Sequence, residues 1–379
     1  MGAKKHLVLI GGGHTHALLL KQWAKAPIKD VQVSVINPGK RAAYSGMLPG
    51  FVAGHYALTD LQLNIEALAK ESGAKFIQAA ASDIDLEQQT VGLSIGGTLS
   101  YDIASIDIGI TTGLKNIEGF AEFGIAAKPL DHFAQSWHQF MKDVQQGHKR
   151  PQLAIIGGGV AGCELALAMA YALRNTAEAS IEIIDRSEIL AEVHPRTRQI
   201  IERKLHEQGI QMHSNTEVLR LTENHVHLQK GDNVQSLASS FTLSAAGARP
   251  YEWLSSIGNE ANPFLLHEGF IQVDPYLRST NDKVYAVGDC AHMTANPRPK
   301  AGVYAVRQAP VLYKNLVAEL QGKPENRQLY QPQKDYLKLM SLGAKEAVAD
   351  KLGWQFSGKL AWQLKNRIDQ KFMSLFREQ

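Results

Sequence analysis

Short, continuous apolar runs that end in glycine set the organisation of this chain. HLVLI (residues 6–10) stops at Gly11, Gly12 and Gly13, and HTHALLLKQW follows with the apolar spacing of a helix. VQVSVIN, ending at Asn37, then predicts a second strand. The same order recurs from Arg150: QLAII, the glycines at 157–159, a helical run GVAGCELALAMAYAL, and SIEIID ending at Asp185. This self-similarity predicts two separate βαβ units. Residues 75–110 and 211–249 read as short strands with turns, residues 271–293 as a strand-rich stretch, and residues 302–320 as a helix. The last 50 residues form a distinct tail.

The glycine spacing carries chemistry. In GxGxxG the first glycine allows the tight turn, the second lets the backbone approach a pyrophosphate, and the third lets the helix pack on its strand. Gly157, Gly159 and Gly162 meet all three requirements, and Asp185 at the end of the next strand is placed to accept the hydroxyls of an adenosine ribose. A carboxylate there repels a 2'-phosphate. The second unit is therefore expected to bind NADH, with NADPH disfavoured but left open by the neighbouring Arg186. The first unit keeps Gly11 and Gly13 but has His16 in place of the third glycine and Asn37 in place of the carboxylate. His14 and His16 are candidates for the cofactor site or for structural hydrogen bonding. No third ligand lies nearby, so no metal is expected.

Composition narrows the classes. The 379 residues are 44% hydrophobic and carry 40 Lys+Arg against 37 Asp+Glu, which argues against nucleic-acid binding by bulk charge and against disorder. Cys163 and Cys290 cannot form a disulfide framework or a CxxC pair. Lys4 and Lys5 precede an apolar run too short for a secretory leader, and no run reaches the roughly 18 residues of a spanning helix. A cytoplasmic protein is expected, with peripheral contact at the inner face of the membrane left open.

STNDKVYAVGDCAHM (279–293) resembles the second flavin fingerprint of the pyridine nucleotide-disulfide oxidoreductase superfamily. IDIG (106–109) and AAGARP (245–250) sit where the ATG-type strand ends of that superfamily occur, with Gly109 and Gly247 at its glycine. The resemblance implies an α/β fold of two Rossmann-like domains, the NAD domain inserted in the FAD domain, plus an α-rich C-terminal tail. It places the FAD domain at 1–115 and 246–325, the NAD domain at 116–245 and the tail at 326–379. It also implies FAD, with Asp289 after the Gly288 turn accepting from the ribityl chain. RAAYSGMLPG (41–50) lacks the cysteine pair of the disulfide reductases, and the two cysteines are ill placed for a sulfide:quinone oxidoreductase.

GVAGCELA, with Glu164, and AGVYAVRQAPVLYKNL are similar to type II NADH dehydrogenases, whose paired glutamines become Arg307 and Gln308 here. YSGMLPG, YAVRQAP and KNRIDQKFM also resemble the flavoprotein found alone or fused to selenophosphate synthase. Glu164 reads either as an exposed first-turn residue or as a group beside the nicotinamide, and Arg307 as a partner of an anion. Tyr44, Ser45 and Met47, in a loop bounded by Gly and Pro, are expected to touch flavin or substrate. The implied function is an FAD-dependent oxidoreductase that takes hydride from NADH and delivers electrons to a second acceptor such as a quinone. The alternatives are a soluble flavoenzyme acting on a small metabolite and a non-catalytic redox sensor.

The tail holds the net basicity. Residues 351–379 carry six Lys or Arg against two acids, a net +4 that leaves −1 elsewhere. As a helix over 358–377 it places Leu360, Ala361, Leu364, Ile368, Phe372, Leu375 and Phe376 on one face, with Trp354, Phe356 and Trp362 nearby. This stripe is expected to meet a membrane surface, pack internally or form a homodimer.

Overall fold

The computed structural model describes residues 4–112, 114, 116–258 and 263–377. The expected domain boundary at 115 lies outside them. The chain divides into two compact units: Met1–Tyr44, Gln62–Ile110 and Pro250–Lys334 in the first, and Ser45–Leu61, Thr111–Arg249 and Asp335–Gln379 in the second.

The first unit is built on a five-stranded sheet in the order Val284–Ala286, Ile103–Ile106, Lys5–Ile10, Val31–Asn37, Lys75–Gln78, every pair parallel. Leu7, Val8 and Leu9 are wholly buried, which is why the central strand reads as an unbroken apolar run: a parallel strand is covered on both faces. Helix His14–Lys25 packs against helix Gly302–Leu320, and Lys5 donates to the Leu320 carbonyl at 2.7 Å, tying the first strand to the end of the last helix of this unit. A three-stranded meander, Ala81–Asp85, Thr90–Leu93 and Thr98–Ser100, returns the chain to the sheet.

The second unit repeats the plan. Its parallel sheet runs Gly124–Ala126, Phe241–Ser244, Gln152–Ile156, Ser180–Ile184, Gln211–His213. Within it, Asp335–Gln379 forms a three-stranded antiparallel sheet (Lys338–Ser341, Ala347–Lys351, Trp354–Gly358) and then helix Lys359–Ser374. The tail helix was expected; the sheet before it was not. That sheet packs on helices Val160–Ala172 and Pro195–Glu207, where Thr197 donates to Asp350 at 2.8 Å and Lys204 pairs with Glu346 at 2.8 Å.

The tail helix is rotated relative to its sequence reading. Ala361, Asp369 and Met373 are buried and Lys365 is nearly so, whereas Leu360, Ile368 and Leu375 of the apolar stripe are exposed. The cause is an inward ion pair: Lys365 reaches Asp369 at 2.8 Å and donates to the Gly46 carbonyl at 2.6 Å. Among the described residues no helix is long and apolar enough to cross a membrane.

Candidate active site

The two glycine turns are built alike. In the first unit Gly11 N–H donates to the Ile36 carbonyl at 2.8 Å and Gly12 N–H to Asn37 Oδ1 at 2.8 Å. In the second, Gly157 N–H donates to Ile184 at 2.8 Å and Gly158 N–H to Asp185 Oδ2 at 2.6 Å. Each polar residue at the second strand's end thus fastens its turn. Asn37 spends its other end on the Gly39 carbonyl. Asp185 Oδ1 accepts from the Ser187 amide and hydroxyl; a carboxylate offers about four acceptor sites, so at least one is left for a ribose hydroxyl.

The third glycine position separates the repeats. A Cβ on Gly162 would lie 1.9 Å from the Gly157 carbonyl oxygen. Only glycine fits. The first repeat opens that space for His16, whose Nδ1 lies 2.7 Å from the Gly11 carbonyl and Nε2 2.8 Å from Ser105 Oγ. A carbonyl only accepts, so Nδ1 carries the proton and Nε2 accepts from the serine. Complete burial drives the imidazole pKa down to about 4, keeping it neutral. Both ring nitrogens are therefore engaged inside the chain, which assigns His16 to holding the turn rather than to cofactor contact.

Asp107 is the group the sequence reading passed over. It follows strand Ile103–Ile106 at the place where the second repeat has Ala245, since Ile106 pairs with Ile10 as Ser244 pairs with Ile156. Its Oδ2 accepts from His16 N–H at 3.0 Å, and a Cβ on Gly13 would fall 2.2 Å from its Oδ1, one on Gly288 2.7 Å away. Burial, joined by the nearby Asp289 charge, pushes its pKa up to about 7 against the opposing amide bonds from His16 and Thr15. The signal was present in IDIG: a charged residue where the repeat carries alanine.

Around this hub the first unit gathers several expected residues. Gly288 has φ +68° and donates its N–H to Gln308 Oε1 at 2.7 Å, so the buried Gln308 latches the flavin-fingerprint turn. His14 meets Tyr44 edge-on, ring centroids 5.3 Å apart, and a Cβ on Gly302 would lie 3.5 Å from His14 Nδ1. Arg307 is exposed on the same helix as Gln308. Gly109, at φ +66°, faces open space, and helix His14–Lys25 starts at Gly13 without a side-chain cap. These residues fit FAD: an open cradle and a helix N-terminus for the pyrophosphate. In the second unit Gly159 likewise has open space and begins an uncapped helix, while Gly247 has φ +67°.

Glu164 is not the exposed first-turn residue of one of its two readings. It sits in the second turn of helix Val160–Ala172, not the first, and its Oε1 accepts from Ser341 N–H at 2.6 Å. Desolvation raises its pKa to about 7, with Lys365 and the Ser341 amide pulling down and Asp369 pushing up. It can therefore hold or release a proton near neutral pH. Met47 is buried in the same unit and Ser45 partly so; the short helix Ser45–Met47 leads into packing.

Residues 5–309 match the family model described as pyridine nucleotide-disulphide oxidoreductase. The chain belongs to this family. As a member it is an oxidoreductase that uses FAD and NADH. It is 26% identical over 372 residues to the demethylphylloquinone reductase NdbB of Synechocystis sp., covering 95% of this chain and 90% of that protein. Among solved structures it resembles NDH2 from Plasmodium falciparum in complex with NADH (TM-score 0.82, 16% identity, 98% and 97% of the two chains). It also resembles the sulfide:quinone oxidoreductase of Aquifex aeolicus (TM-score 0.79, 19% identity, 98% and 91%). The family's disulphide chemistry has no counterpart here. Burial pushes both thiols up to about 12, and each lies against a carbonyl oxygen, Cys163 against Gly158 and Cys290 against Val287, so neither is a nucleophile at neutral pH.

Proposed function

We propose that this flavoprotein takes hydride from NADH and passes the electrons directly to a quinone-type acceptor at a lipid surface. The observation that carries the reading is the unequal pair of glycine turns. One ends in Asp185 with acceptor capacity to spare; the other closes on itself through Asn37, His16 and Asp107. The first form suits the ribose of NADH, and the second leaves Gly13, Gly109 and Asp289 to hold FAD. On this reading residues 1–115 and 246–325 form the FAD domain and 116–245 the NADH domain.

Bound FAD supplies hydride acceptance and onward electron delivery. The chain's own tasks are to fix that ring, align the donor and control protons. Gln308 holds the Gly288 turn, from which Asp289 would accept a hydrogen bond from the ribityl chain of bound FAD. Tyr44 and His14 brace one another at the start of helix His14–Lys25. Glu164, titrating near pH 7, is the proton reservoir of the nicotinamide side. With both thiols buried and protonated, the chain's own sulfur offers no relay between the donor and the external acceptor. The relative named as a demethylphylloquinone reductase supports a quinone in that role.

The lipid contact rests on the tail. Trp354 is 85% exposed and Leu360 74%, with Phe356, Ile368 and Leu375 also exposed, and Lys359, Arg367, Lys371 and Arg377 are exposed in the same stretch of chain. Exposed apolar and cationic side chains in one segment suit an anionic interface. Steady-state assays test the whole reading: NADH should be oxidised with menadione at least tenfold faster than with oxygen. Flavin reduction by sulfide, or no response to menadione, would overturn it.

A further inference from the structure

The carboxyl of Asp107 stands at the helix end to which the FAD pyrophosphate is assigned, and the function proposed above gives it no task beyond closing the turn. A helix leaves its first N–H groups without partners of its own, and these make its N-terminus a place for anions. In helix His14–Lys25 two of them already serve Asp107: His16 N–H donates to Oδ2 at 3.0 Å, and the Thr15 amide bonds the same carboxyl. Gly13, whose backbone has to lie close to the pyrophosphate, donates its own N–H to the Asp107 main-chain carbonyl at 3.1 Å. A Cβ added to Gly13 would meet Oδ1, Cγ and Oδ2 of Asp107 at 2.2, 2.3 and 2.4 Å, so the carboxyl lies directly against the Gly13 backbone. The second turn has Ala245 at the equivalent place and carries no such group.

An ionised Asp107 would set a negative charge behind the same backbone that has to receive a doubly charged anion. Like charges sharing one buried site cannot all ionise, and the group able to take a proton takes it. The pyrophosphate stays ionised throughout the neutral range, which leaves Asp107, buried away from screening water. Its neighbours do not offset the repulsion. From helix His14–Lys25, His16 is neutral and bonded at both ring nitrogens. From the turn Gly288–Cys290, Asp289 adds a like charge and Cys290 a protonated thiol. Helix Gly302–Leu320 presents Ala305 and the neutral Gln308 to that turn, and the adjoining strands end in Ile10 and Ile106. Desolvation already lets the carboxyl keep its proton up to about pH 7, and a dianion beside it extends that range upward.

We propose that Asp107 couples FAD binding to the uptake of one proton, so that the first turn takes and keeps FAD with this carboxyl neutral. The inference rests on the assignment of FAD to the first glycine turn and on nothing about the electron donor or acceptor. Above about pH 7 the protein without FAD has lost the proton that the complex needs, so affinity falls as pH rises, by at most about tenfold per pH unit for a single proton, and levels off below. Full-length holoenzyme diluted to nanomolar concentration between pH 6.5 and pH 8.5, with released FAD separated by ultrafiltration and measured by fluorescence, reads this directly, since FAD itself titrates outside that range. The dissociation constant of wild type should rise by about tenfold or more from pH 6.5 to pH 8.5. Asp107→Asn keeps an acceptor for the His16 amide and Asp107→Ala copies the second repeat; in both the constant should change less than twofold. A wild-type constant independent of pH, an equal rise in both variants, or loss of FAD from both variants at every pH would overturn the inference. Asp289→Asn at pH 6.5 separates those results from a misplaced cofactor: it should weaken FAD several-fold if the first turn is the cradle, and no weakening would overturn the inference together with the assignment beneath it.

Discussion

Replacing Asp107 by asparagine tests whether the first glycine turn is assembled around a carboxyl that prefers to be neutral. In the fold the group is 3% exposed and its pKa is raised from 3.8 to about 7. The unfolded chain loses that proton near pH 4, whereas the folded protein holds it until about pH 7, so stability falls as pH rises between those values and then levels off. A shift of about three units at 1.36 kcal/mol each sets the limit of the effect on the order of 4 kcal/mol. Asparagine keeps an oxygen to accept the His16 amide and removes the charge. Urea unfolding of wild type and Asp107→Asn should therefore show the variant gaining on wild type by a few kcal/mol from pH 5 to pH 8, with most of the gain below pH 7. Glu164 drifts in the same direction, but it is common to both proteins and cancels in the difference. A stability difference that stays constant with pH, or that shrinks toward alkaline pH, would refute the reasoning.

Other substitutions address the remaining parts of the site. Gly162→Ala places a methyl 1.9 Å from the Gly157 carbonyl, where backbone must move; flavin content should hold while the KM for NADH rises at least tenfold in steady-state assays. Wild type should be reduced by NADH at least tenfold faster than by NADPH in stopped-flow flavin reduction, and Asp185→Ser should narrow that ratio, because the carboxylate that repels a 2'-phosphate is gone. The exposed trio Trp354→Ser, Leu360→Gln and Ile368→Gln should abolish sedimentation with anionic vesicles and leave the melting temperature within a few degrees; unchanged vesicle binding would assign the face to a second copy of the chain or to nothing. Truncating the chain after Gly353 is a poorer test, since it removes the strand Trp354–Gly358 and the Lys365–Asp369 pair that seat the tail.

What was legible in the sequence was whatever backbone sterics impose locally. Gly157, Gly162 and Gly11 announce their turns because a side chain there meets main-chain atoms, and the first strand of each repeat announces itself because burial on both faces leaves a nearly unbroken apolar run. Groups defined by long-range packing were not legible. Asp107 lies in IDIG, where an alternating charge reads as a solvent-facing position, and only the pairing of Ile10 with Ile106 shows that it ends a central strand. Comparing the two repeats position by position would have set it against Ala245. Spacing along the tail helix puts Lys365 only at the flank of the apolar stripe and gives no sign of its partner, yet Lys365 and Asp369 form an ion pair that faces inward and leaves Leu360, Ile368 and Leu375 exposed. Gln308 is matched in sequence to one of the paired glutamines of type II NADH dehydrogenases, but its bond to the Gly288 turn spans 20 residues and carries no sequence signal.

The central claim, that electrons enter from NADH and leave from the flavin without a thiol relay, is tested most directly by anaerobic titration of the purified yellow protein. One equivalent of NADH per flavin should bleach the flavin band fully, and one equivalent of menadione should restore it, with the same stoichiometry in the Cys163→Ser, Cys290→Ser double variant. Consumption of two equivalents of NADH per flavin, or failure of the cysteine-free variant to be reoxidised, would contradict the account.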